Sequence, residues 1–287
     1  MAIPNVSEGR DQSLVDEMVA AVTGGGARLL DVHSDPLHNR SVLTTCADDP
    51  QLLVAAMTEL AERCGSVDLA EHSGIHARLG ILDVCPFVPF EGSMTDAVGA
   101  AYEAGKQIAE RAGIPVFLYG MAAGRNATRD LPTLRRGGLP GLSRRMELGL
   151  YPDFGPAEID PHRGVVCVGA RGPLIAFNVW FECDVKLVEE IARSIRTSDG
   201  GPPGVRALGL RMTESVSQVS MNLIEPEVTG IDDAFELVTE QAGALNVRPT
   251  ATEIVGLVQE KWLPNSQKEA ARLLLKPGRS IESALGR

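Results

Sequence analysis

Apolar residues recur at helical spacing in three segments of the first half of the chain, each with its own end signals. The first stripe covers 14–22 and stops at a run of three glycines. The second opens on an Asp-Pro pair at 49–50, typical of a helix N-cap and first turn, and reaches Gly65. The third opens with Ser-x-x-Asp over 93–96, a capping box, and reaches about Ala112. These patterns predict three helices.

Short apolar runs between these helices predict strands, because buried strands are short and rich in branched apolar residues. A basic, Gly-rich stretch over 125–145 predicts loops and short helices, with a flexible loop at 137–141. The strands are expected at 28–33, a short buried strand, and at 42–45, 81–84 and 115–119.

The second half of the chain alternates strands and helices in a different order. Its elements follow the sequence β-α-β-β-α-β, which is the ferredoxin-like split unit, allowing for one missing edge strand. The fold class is therefore α/β (α+β), with a boundary near 169–171 and predicted domains at 1–170 and 171–287. The elements are a strand over 173–181, a helix capped by Asp184, strands over 205–212 and 216–224, a helix over 232–245 and a strand over 253–258.

The composition and charge of the chain argue against several classes of partner and location. The net charge of −11 argues against nucleic acid or an anionic membrane as the main partner. No apolar run is long enough to span a membrane, and Glu8, Arg10 and Asp11 lie where the apolar core of a secretion signal would be. Five scattered Cys fit reduced thiols and a cytoplasmic location. Only five of the 27 basic residues are Lys, and Arg suits bidentate recognition of a small anionic substrate.

Four of the five His fall into two clusters. His33 and His38 follow a predicted strand together with acidic residues, and His72 and His76 precede another strand in a Gly-containing loop. A lone loop His is most useful as a general base, since its ordinary pKa of about 6.5 suits proton transfer at neutral pH. Two alternatives stay open: a metal site, and His side chains that only hydrogen-bond to neighbouring backbone.

Several common catalytic motifs are absent. The chain has no G-x-S-x-G elbow, no phosphate-binding G-x-x-x-x-G-K-[ST] loop and no G-x-G-x-x-G after a strand. Cys85 lies between a strand and Pro86 without an activating partner in the sequence, so we expect a small buried hydrophobic residue. Serine hydrolase, P-loop and dinucleotide-binding activities therefore lack their signatures.

A series of motifs in fixed order resembles the glutamate formimidoyltransferase family, the formiminotransferase module of formimidoyltransferase-cyclodeaminase. The resemblance covers about residues 3 to 258, and the cyclodeaminase domain has no counterpart in this chain. The motifs are 4–10 (PNVSEGR), 30–42, His72-x-Gly-x-His76-x-Arg78-x-Gly80, 82–87 (LDVCPF), 117–120 (FLYG), 153–156 (DFGP), 169–171 (GAR), 174–179, 218–223 (QVSMNL) and 253–258 (EIVGLV).

The resemblance implies transfer of a formimino group from N-formimino-L-glutamate to tetrahydrofolate, without a metal. It also implies two α/β subdomains with a substrate cleft between them, and a homodimer. His76 corresponds to the family's catalytic His, as general base. Arg40, Arg78 and Arg171 could pair with substrate carboxylates, although Arg78 and Arg171 could equally tie the two subdomains together. The implied folate- and substrate-binding residues are Asn5, His33, Asp35, Arg40, Arg78, Gly155, Pro156, His162, Arg163, Gly164, Arg171 and Asn178.

Four positions depart from the family pattern. Ile75 and Met121 stand where the family usually has Glu, Gly138 replaces a third Glu, and Trp180 replaces an Asn. Loss of an acid beside His76 would lower the pKa of that His. The alternatives are therefore another formimino or formyl donor, ATP-linked cycling of 5-formyltetrahydrofolate on the same scaffold, or a non-catalytic folate-binding protein.

Overall fold

A computed structural model describes all residues, 1–287, and divides the chain into two compact units, Met1–Gly172 and Pro173–Arg287. Each unit has its own sheet and its own apolar core. The predicted α/β class is confirmed, and so is the ferredoxin-like order of the second half. No helix is long and apolar enough to cross a membrane.

The first unit is built on a mixed sheet of six strands in the order β2-β3-β1-β4-β6-β5. β4, β6 and β5 are parallel, whereas the pairs β2–β3, β1–β3 and β1–β4 are antiparallel. The strands are β1 (Asn5–Val6), β2 (Arg28–Asp35), β3 (Arg40–Cys46), β4 (Leu82–Phe87), β5 (Val116–Gly120) and β6 (Val166–Ala170).

The three predicted helices of the first unit end at the predicted glycines, and the second and third begin at the predicted caps. Asp11 and Asp49 cap the first two helices, Ser93 and Asp96 form a complete capping box, and Gly113 ends the third helix with a left-handed backbone. The helices are α1 (Gln12–Gly24), α2 (Pro50–Cys64), α3 (Met94–Ala112), α4 (Asn126–Arg129), α5 (Leu131–Arg135) and α6 (Gly138–Glu147), with a 3-10 turn at Leu69–Glu71.

Alternate residues of the sheet contribute to two cores. Val116 and Leu118 belong to the larger cluster, which includes apolar residues of α1, α2 and α3. Phe117 and Tyr119, which point to the opposite face, pack with Leu134 of α5 and other residues of the short helices. The short helices α5 and α6 therefore lie on the face of the sheet opposite α1, α2 and α3.

Four details differ from the sequence predictions. β2 is mostly half-exposed rather than buried, because only Leu30 is buried along it. The 137–141 segment is not a flexible loop, since α6 begins at Gly138 after Gly137 adopts a left-handed backbone. β1 and β6 were not predicted: β1 has only two residues, and β6 lies in the apolar stretch that leads into the domain boundary.

The second unit has a four-stranded antiparallel sheet in the order β10-β7-β9-β8. Its β-α-β-β-α-β order contains all four strands, so no edge strand is missing. Its elements are β7 (Ile175–Phe181), α7 (Val185–Ile195), β8 (Val205–Arg211), β9 (Ser217–Leu223), α8 (Ile231–Ala244), β10 (Ala251–Val255), α9 (Glu269–Arg272) and α10 (Ile281–Leu285), with 3-10 turns at Thr197–Asp199 and Glu260–Trp262.

Candidate active site

Strand register places several of the predicted site residues on one face of the first sheet. Asn5 and His33 both lie opposite Val42, and Asp35 lies opposite Arg40. Residues directly opposite each other in an antiparallel pair share a face, as do residues two apart on one strand. Asn5, His33, Asp35 and Arg40 therefore occupy the same face of neighbouring strands, although they are far apart in the sequence.

A cluster of buried charges lies on this face around Asp83, which is fully buried. Arg40 Nη1 donates to Asp83 Oδ2 at 2.7 Å, and its Nε and Nη2 donate to Asn5 Oδ1 at 3.3 and 3.1 Å. Arg135 Nη2 forms an ion pair with the same Asp83 oxygen. The other oxygen, Oδ1, accepts the backbone N–H of Leu79 at 2.8 Å. Asp83 thus joins β3, α5 and the end of the loop that carries His76.

The surroundings lower the pKa of both guanidiniums in this cluster. Burial lowers the pKa of Arg40 to about 10. Burial, with the positive charge of Arg40 nearby, lowers the pKa of Arg135 to about 9. Each group stays charged at neutral pH, so the cluster holds two cations against one carboxylate.

Arg135 reaches the cluster because α5 is short and well capped. Asp130 accepts the backbone N–H of Thr133 at the start of the helix, and Leu134 packs into the apolar core beneath it. At its end, Arg145 donates to the carbonyl oxygens of Leu134 and Arg136, which satisfies the last turn. These contacts fix the helix end from which the Arg135 side chain extends.

The loop over 72–78 packs against the turn between β2 and β3, which brings the two His clusters together. Ile75 N–H donates to Leu37 O at 3.4 Å, and Arg78 Nη2 donates to His38 O at 3.1 Å. The His38 and His76 ring centroids are 6.1 Å apart in an edge-on arrangement. The loop is irregular, as its glycines predict.

Glu8 and His72 form a buried hydrogen-bonded pair beneath this loop. Asn39 Oδ1 accepts a backbone N–H, so its Nδ2 faces His72 Nδ1 at 3.1 Å, and Arg78 Nη1 approaches the same nitrogen at 3.4 Å. With donors on both sides, Nδ1 must accept, which places the hydrogen on Nε2 and directs it to Glu8 Oε2 at 2.9 Å. Glu8 Oε1 accepts the backbone N–H groups of residues 9–11.

The pKa of Glu8 reflects these partners. Burial acts to raise the pKa, but the backbone N–H groups of Asp11 and Arg10 and the positive potential of His72 outweigh it, so the pKa is lowered overall. The carboxylate is therefore ionised and holds the start of α1 against the loop.

His76 is half-buried at the exposed end of the cluster. Its Nδ1 lies 2.8 Å from Ala77 O, and because a carbonyl oxygen only accepts, Nδ1 carries a hydrogen and Nε2 has a free lone pair in the neutral ring. Burial and the positive charges of Arg40 and Arg135 hold the pKa of His76 well below its ordinary value. At neutral pH the ring is therefore a neutral proton acceptor.

The segment over 155–164 divides between two places in the first unit. Gly164 forms a β-bridge with Gly80, at the end of the His76 loop, and a Cβ there would lie 2.1 Å from Leu79 O. His162 pairs with Asp68 before the start of that loop, at 3.0 Å, and this hydrogen bond raises the pKa of the exposed His162 ring. Arg163 donates instead to the carbonyl oxygen that ends α3, Ala112 O.

Gly155, followed by the exposed Pro156, lies along α3 in a shallow groove with Tyr102, Glu103 and Lys106.

Arg171 lies at the opposite end of the parallel strands from Asp83, where its backbone N–H donates to Phe87 O. Its guanidinium donates to Gly172 O at 2.9 Å and interacts with the Tyr119 hydroxyl. Asn178 lies on β7 in the second unit, where its Nδ2 donates to Glu253 Oε2 at 3.0 Å.

Sequence reasoning missed Asp83 and Arg135 as members of the buried charge cluster, and Glu8 as the partner of His72. Asp83 carried a usable signal, because a lone acid between Leu82 and Val84 in an apolar strand needs a buried partner. Arg135 carried none beyond its place in a basic stretch. The structure holds no group of three or more His, Cys, Asp or Glu side chains placed to bind a metal ion.

The four departures from the family pattern occupy different settings. Ile75 is half-buried in the His76 loop, and Met121 is exposed after β5. Gly138 begins α6 with φ of +62°, a conformation that disfavours Glu. Trp180 lies on β7 in the second unit, opposite Gln218 of β9.

Comparison with known proteins shows the family to which this chain belongs. The model of the formiminotransferase domain, N-terminal subdomain, matches residues 1–171, and the model of the formiminotransferase domain matches residues 176–272. Glutamate formimidoyltransferase of Streptococcus pyogenes serotype M1 is 38% identical over 91% of this chain and 89% of its own. The protein of the same name from Thermoplasma acidophilum is 37% identical, covering 91% and 88%.

The formimidoyltransferase-cyclodeaminase of Sus scrofa is 36% identical over 91% of this chain, which spans 50% of that larger protein.

Proposed function

Because the chain belongs to the formiminotransferase family, we propose that it transfers a formimino group from N-formimino-L-glutamate to tetrahydrofolate. The predicted family membership is confirmed by two domain matches that together cover most of the chain. Two of its relatives, which the chain matches over nearly their whole length, carry the name glutamate formimidoyltransferase. Tetrahydrofolate would serve as co-substrate, and no step of the proposed reaction uses a metal.

The observation that carries this proposal is the state of His76. Its Nδ1 hydrogen is engaged by Ala77 O, its Nε2 lone pair is free, and its lowered pKa keeps the ring neutral at physiological pH. A neutral imidazole with one free nitrogen is what a general base requires. We assign that role to His76.

The proposed reaction moves one proton through His76 Nε2. The N5 amine of tetrahydrofolate attacks the amidine carbon of the donor, and His76 takes the proton that N5 loses as the new carbon–nitrogen bond forms. The tetrahedral intermediate then collapses as the bond from that carbon to the glutamate nitrogen breaks, and the departing nitrogen takes the proton back from His76. Arg40 and Arg135 disfavour the imidazolium, which makes the second proton transfer easy.

Cationic groups around His76 support an anionic substrate. Arg40, Arg78 and Arg135 lie on the side of the first unit that carries His76, and Asn5, His33 and Asp35 share the sheet face with Arg40. A guanidinium binds a carboxylate through paired, charge-assisted hydrogen bonds. We propose that the three guanidiniums bind the donor or folate carboxylates, and that Asn5, His33 and Asp35 line the same site.

We further propose that folate is bound by the segment over 155–164. Support comes from Gly164, which contacts the end of the His76 loop through its bridge to Gly80. We also propose that the protein is a homodimer that acts on small-molecule substrates in the cytoplasm. Its five free cysteines support the cytoplasmic location, and its net charge of −11 argues against nucleic acid as the partner.

The test is turnover of N-formimino-L-glutamate with tetrahydrofolate, followed by the absorbance of the folate product after acid treatment. Robust turnover is expected. Folate binding without turnover would contradict the proposed donor, and a nucleotide requirement with 5-formyltetrahydrofolate would replace it by the ATP-linked alternative. Folate binding with no turnover of any one-carbon donor would leave a binding protein.

A further inference from the structure

The charge cluster around Asp83 has one more cation than it has anions. Arg40 and Arg135 both use Asp83 Oδ2, and the other Asp83 oxygen is occupied by Leu79 N–H. A buried charge without a counter-ion is costly, because the low-dielectric interior replaces water poorly. The arrangement is therefore balanced only when a second anion is present.

Neighbouring acids are already engaged elsewhere. Glu8 accepts three backbone N–H groups and faces His72 Nε2. Asp35 accepts the backbone N–H groups of Leu37 and His38 at 2.7 and 2.9 Å. Neither carboxylate contacts Arg135, so the chain itself does not supply the missing anion.

Arg135 differs from Arg40 in how its donors are used. All three nitrogens of the Arg40 guanidinium have acceptors: Nε and Nη2 share Asn5 Oδ1, and Nη1 donates to Asp83 Oδ2. Arg135 Nε is buried and has no hydrogen-bond partner, although the side chain as a whole is 16% exposed. A buried donor without an acceptor is unfavourable. Because Nε is itself shielded, an incoming anion would contact the exposed part of the Arg135 side chain.

We propose that Arg135, beside Arg40, is the subsite for the α-carboxylate of the formimino donor. The inference rests on the proposed function and adds the donor class: N-formimino α-amino acids with a free α-carboxylate. Its chemical basis is distance along the donor. The α-carboxylate is three bonds from the amidine carbon, whereas the folate carboxylates lie beyond the aminobenzoyl group. The donor's γ-carboxylate is five bonds from that carbon. Because the positive charge of Arg135 acts directly on His76, we assign Arg135 to the nearer of the two, the α-carboxylate.

The experiment compares two donors on three proteins. The donors are N-formimino-L-glutamate and its α-carboxamide, and the proteins are wild type, Arg135→Gln and Arg136→Gln. Arg136 is the matched control, because it is the next residue and its side chain is exposed. The hydrogen bonds of Arg136 are made by its backbone, whose N–H donates to Thr133 O and whose carbonyl accepts from Arg145. Thermal unfolding of each variant checks that the fold is kept.

We expect the wild type and Arg136→Gln to prefer the carboxylate donor by roughly 10- to 100-fold in kcat/KM, as charged hydrogen bonds typically provide. In Arg135→Gln that preference should largely disappear, because kcat/KM falls for the carboxylate donor and changes little for the carboxamide. Arg135→Lys should restore only part of it, since Lys keeps the charge but not the paired geometry.

An equal loss for both donors would overturn the proposal, because it would mean that Arg135 acts only by holding Asp83. Equal use of both donors by the wild type would overturn it as well. Absence of all turnover would contradict the proposed function instead. In that case, calorimetric titration of the two donors still tests the subsite, which predicts tighter binding of the carboxylate donor by wild type and no such difference in Arg135→Gln.

Discussion

The two units of the chain differ in what they bury. Glu8, Arg40 and Asp83 are buried in the first unit, whereas no ionisable side chain is buried in the second. The buried polar groups of the second unit are amides and hydroxyls, such as Asn178 and Ser217. Both units have large apolar cores, so apolar packing alone accounts for a stable fold in each.

The buried charges of the first unit are better explained by its chemistry than by its stability. Buried charges contribute little net stability, since the desolvation of each ion offsets the attraction between them. The first unit nevertheless buries Asp83 with Arg40, and Arg135 pairs with the same carboxylate. This arrangement holds two guanidiniums in a defined geometry, which is what recognition of an anion needs. We therefore expect substitutions in the first unit to impair catalysis and substitutions in the second unit to impair stability.

The largest expected effect is on catalysis, from His76→Ala in the first unit. Loss of a general base should lower kcat roughly 10²- to 10⁴-fold while folate binding is retained. The melting temperature should not fall, because the ring is held in a state that disfavours its charged form. Steady-state kinetics and a thermal melt measure both. An unchanged kcat, or a kcat loss matched by unfolding, would contradict the assignment.

The opposite pattern is expected for Phe177→Ala in the second unit. Phe177 is fully buried in the apolar core on β7, so truncation removes its contacts and leaves a cavity. The free energy of unfolding should fall by roughly 3–5 kcal/mol. Urea unfolding followed by Trp fluorescence reports on this unit, because both Trp residues lie in it. A loss below about 1 kcal/mol would show that the site collapses around the smaller side chain.

A smaller difference is expected on acidification, where the first unit should unfold at a higher pH than the second. Between the lowered pKa of His76 and 6.5, the unfolded chain binds the proton, so stability of the first unit falls as pH falls through that window. The lowered pKa of Glu8 adds stability that is present above 4.5 and lost as pH falls through the folded value.

All three Tyr residues lie in the first unit, and Tyr119 is buried there, so second-derivative Tyr absorbance follows that unit separately from Trp fluorescence. The Tyr transition should occur at higher pH than the Trp transition, and His76→Ala should move it to lower pH. Coincident transitions in both proteins would show that these groups do not control acid stability.

The sequence predicted the helices well, because their signals are local. The capping box at Ser93 and Asp96, the first-turn Pro50 and the terminal Gly113 each act within one turn of the residues they define. The elements of the second unit were predicted equally well. Strands such as β7 and β9 bury alternate residues, and the apolar stripes of α7 and α8 pack into the same core.

The candidate site was predicted only in part. Asn5, Arg40 and His76 were identified through a motif resemblance, but their common surroundings depend on contacts between distant residues. Asp83 meets Arg40 across 43 residues and Arg135 across 52. No periodicity spans such a separation, so Arg135 was read only as part of a basic stretch.

By itself, the sequence determined the α/β class, most element boundaries and the family, because these depend on local propensity and on motifs in fixed order. Only the tertiary structure decided which charges are buried together, which nitrogen of His76 is free and which guanidinium donor lacks an acceptor. The physical reason is that burial and hydrogen-bond geometry are properties of packed neighbours, and packing joins residues that the chain keeps far apart.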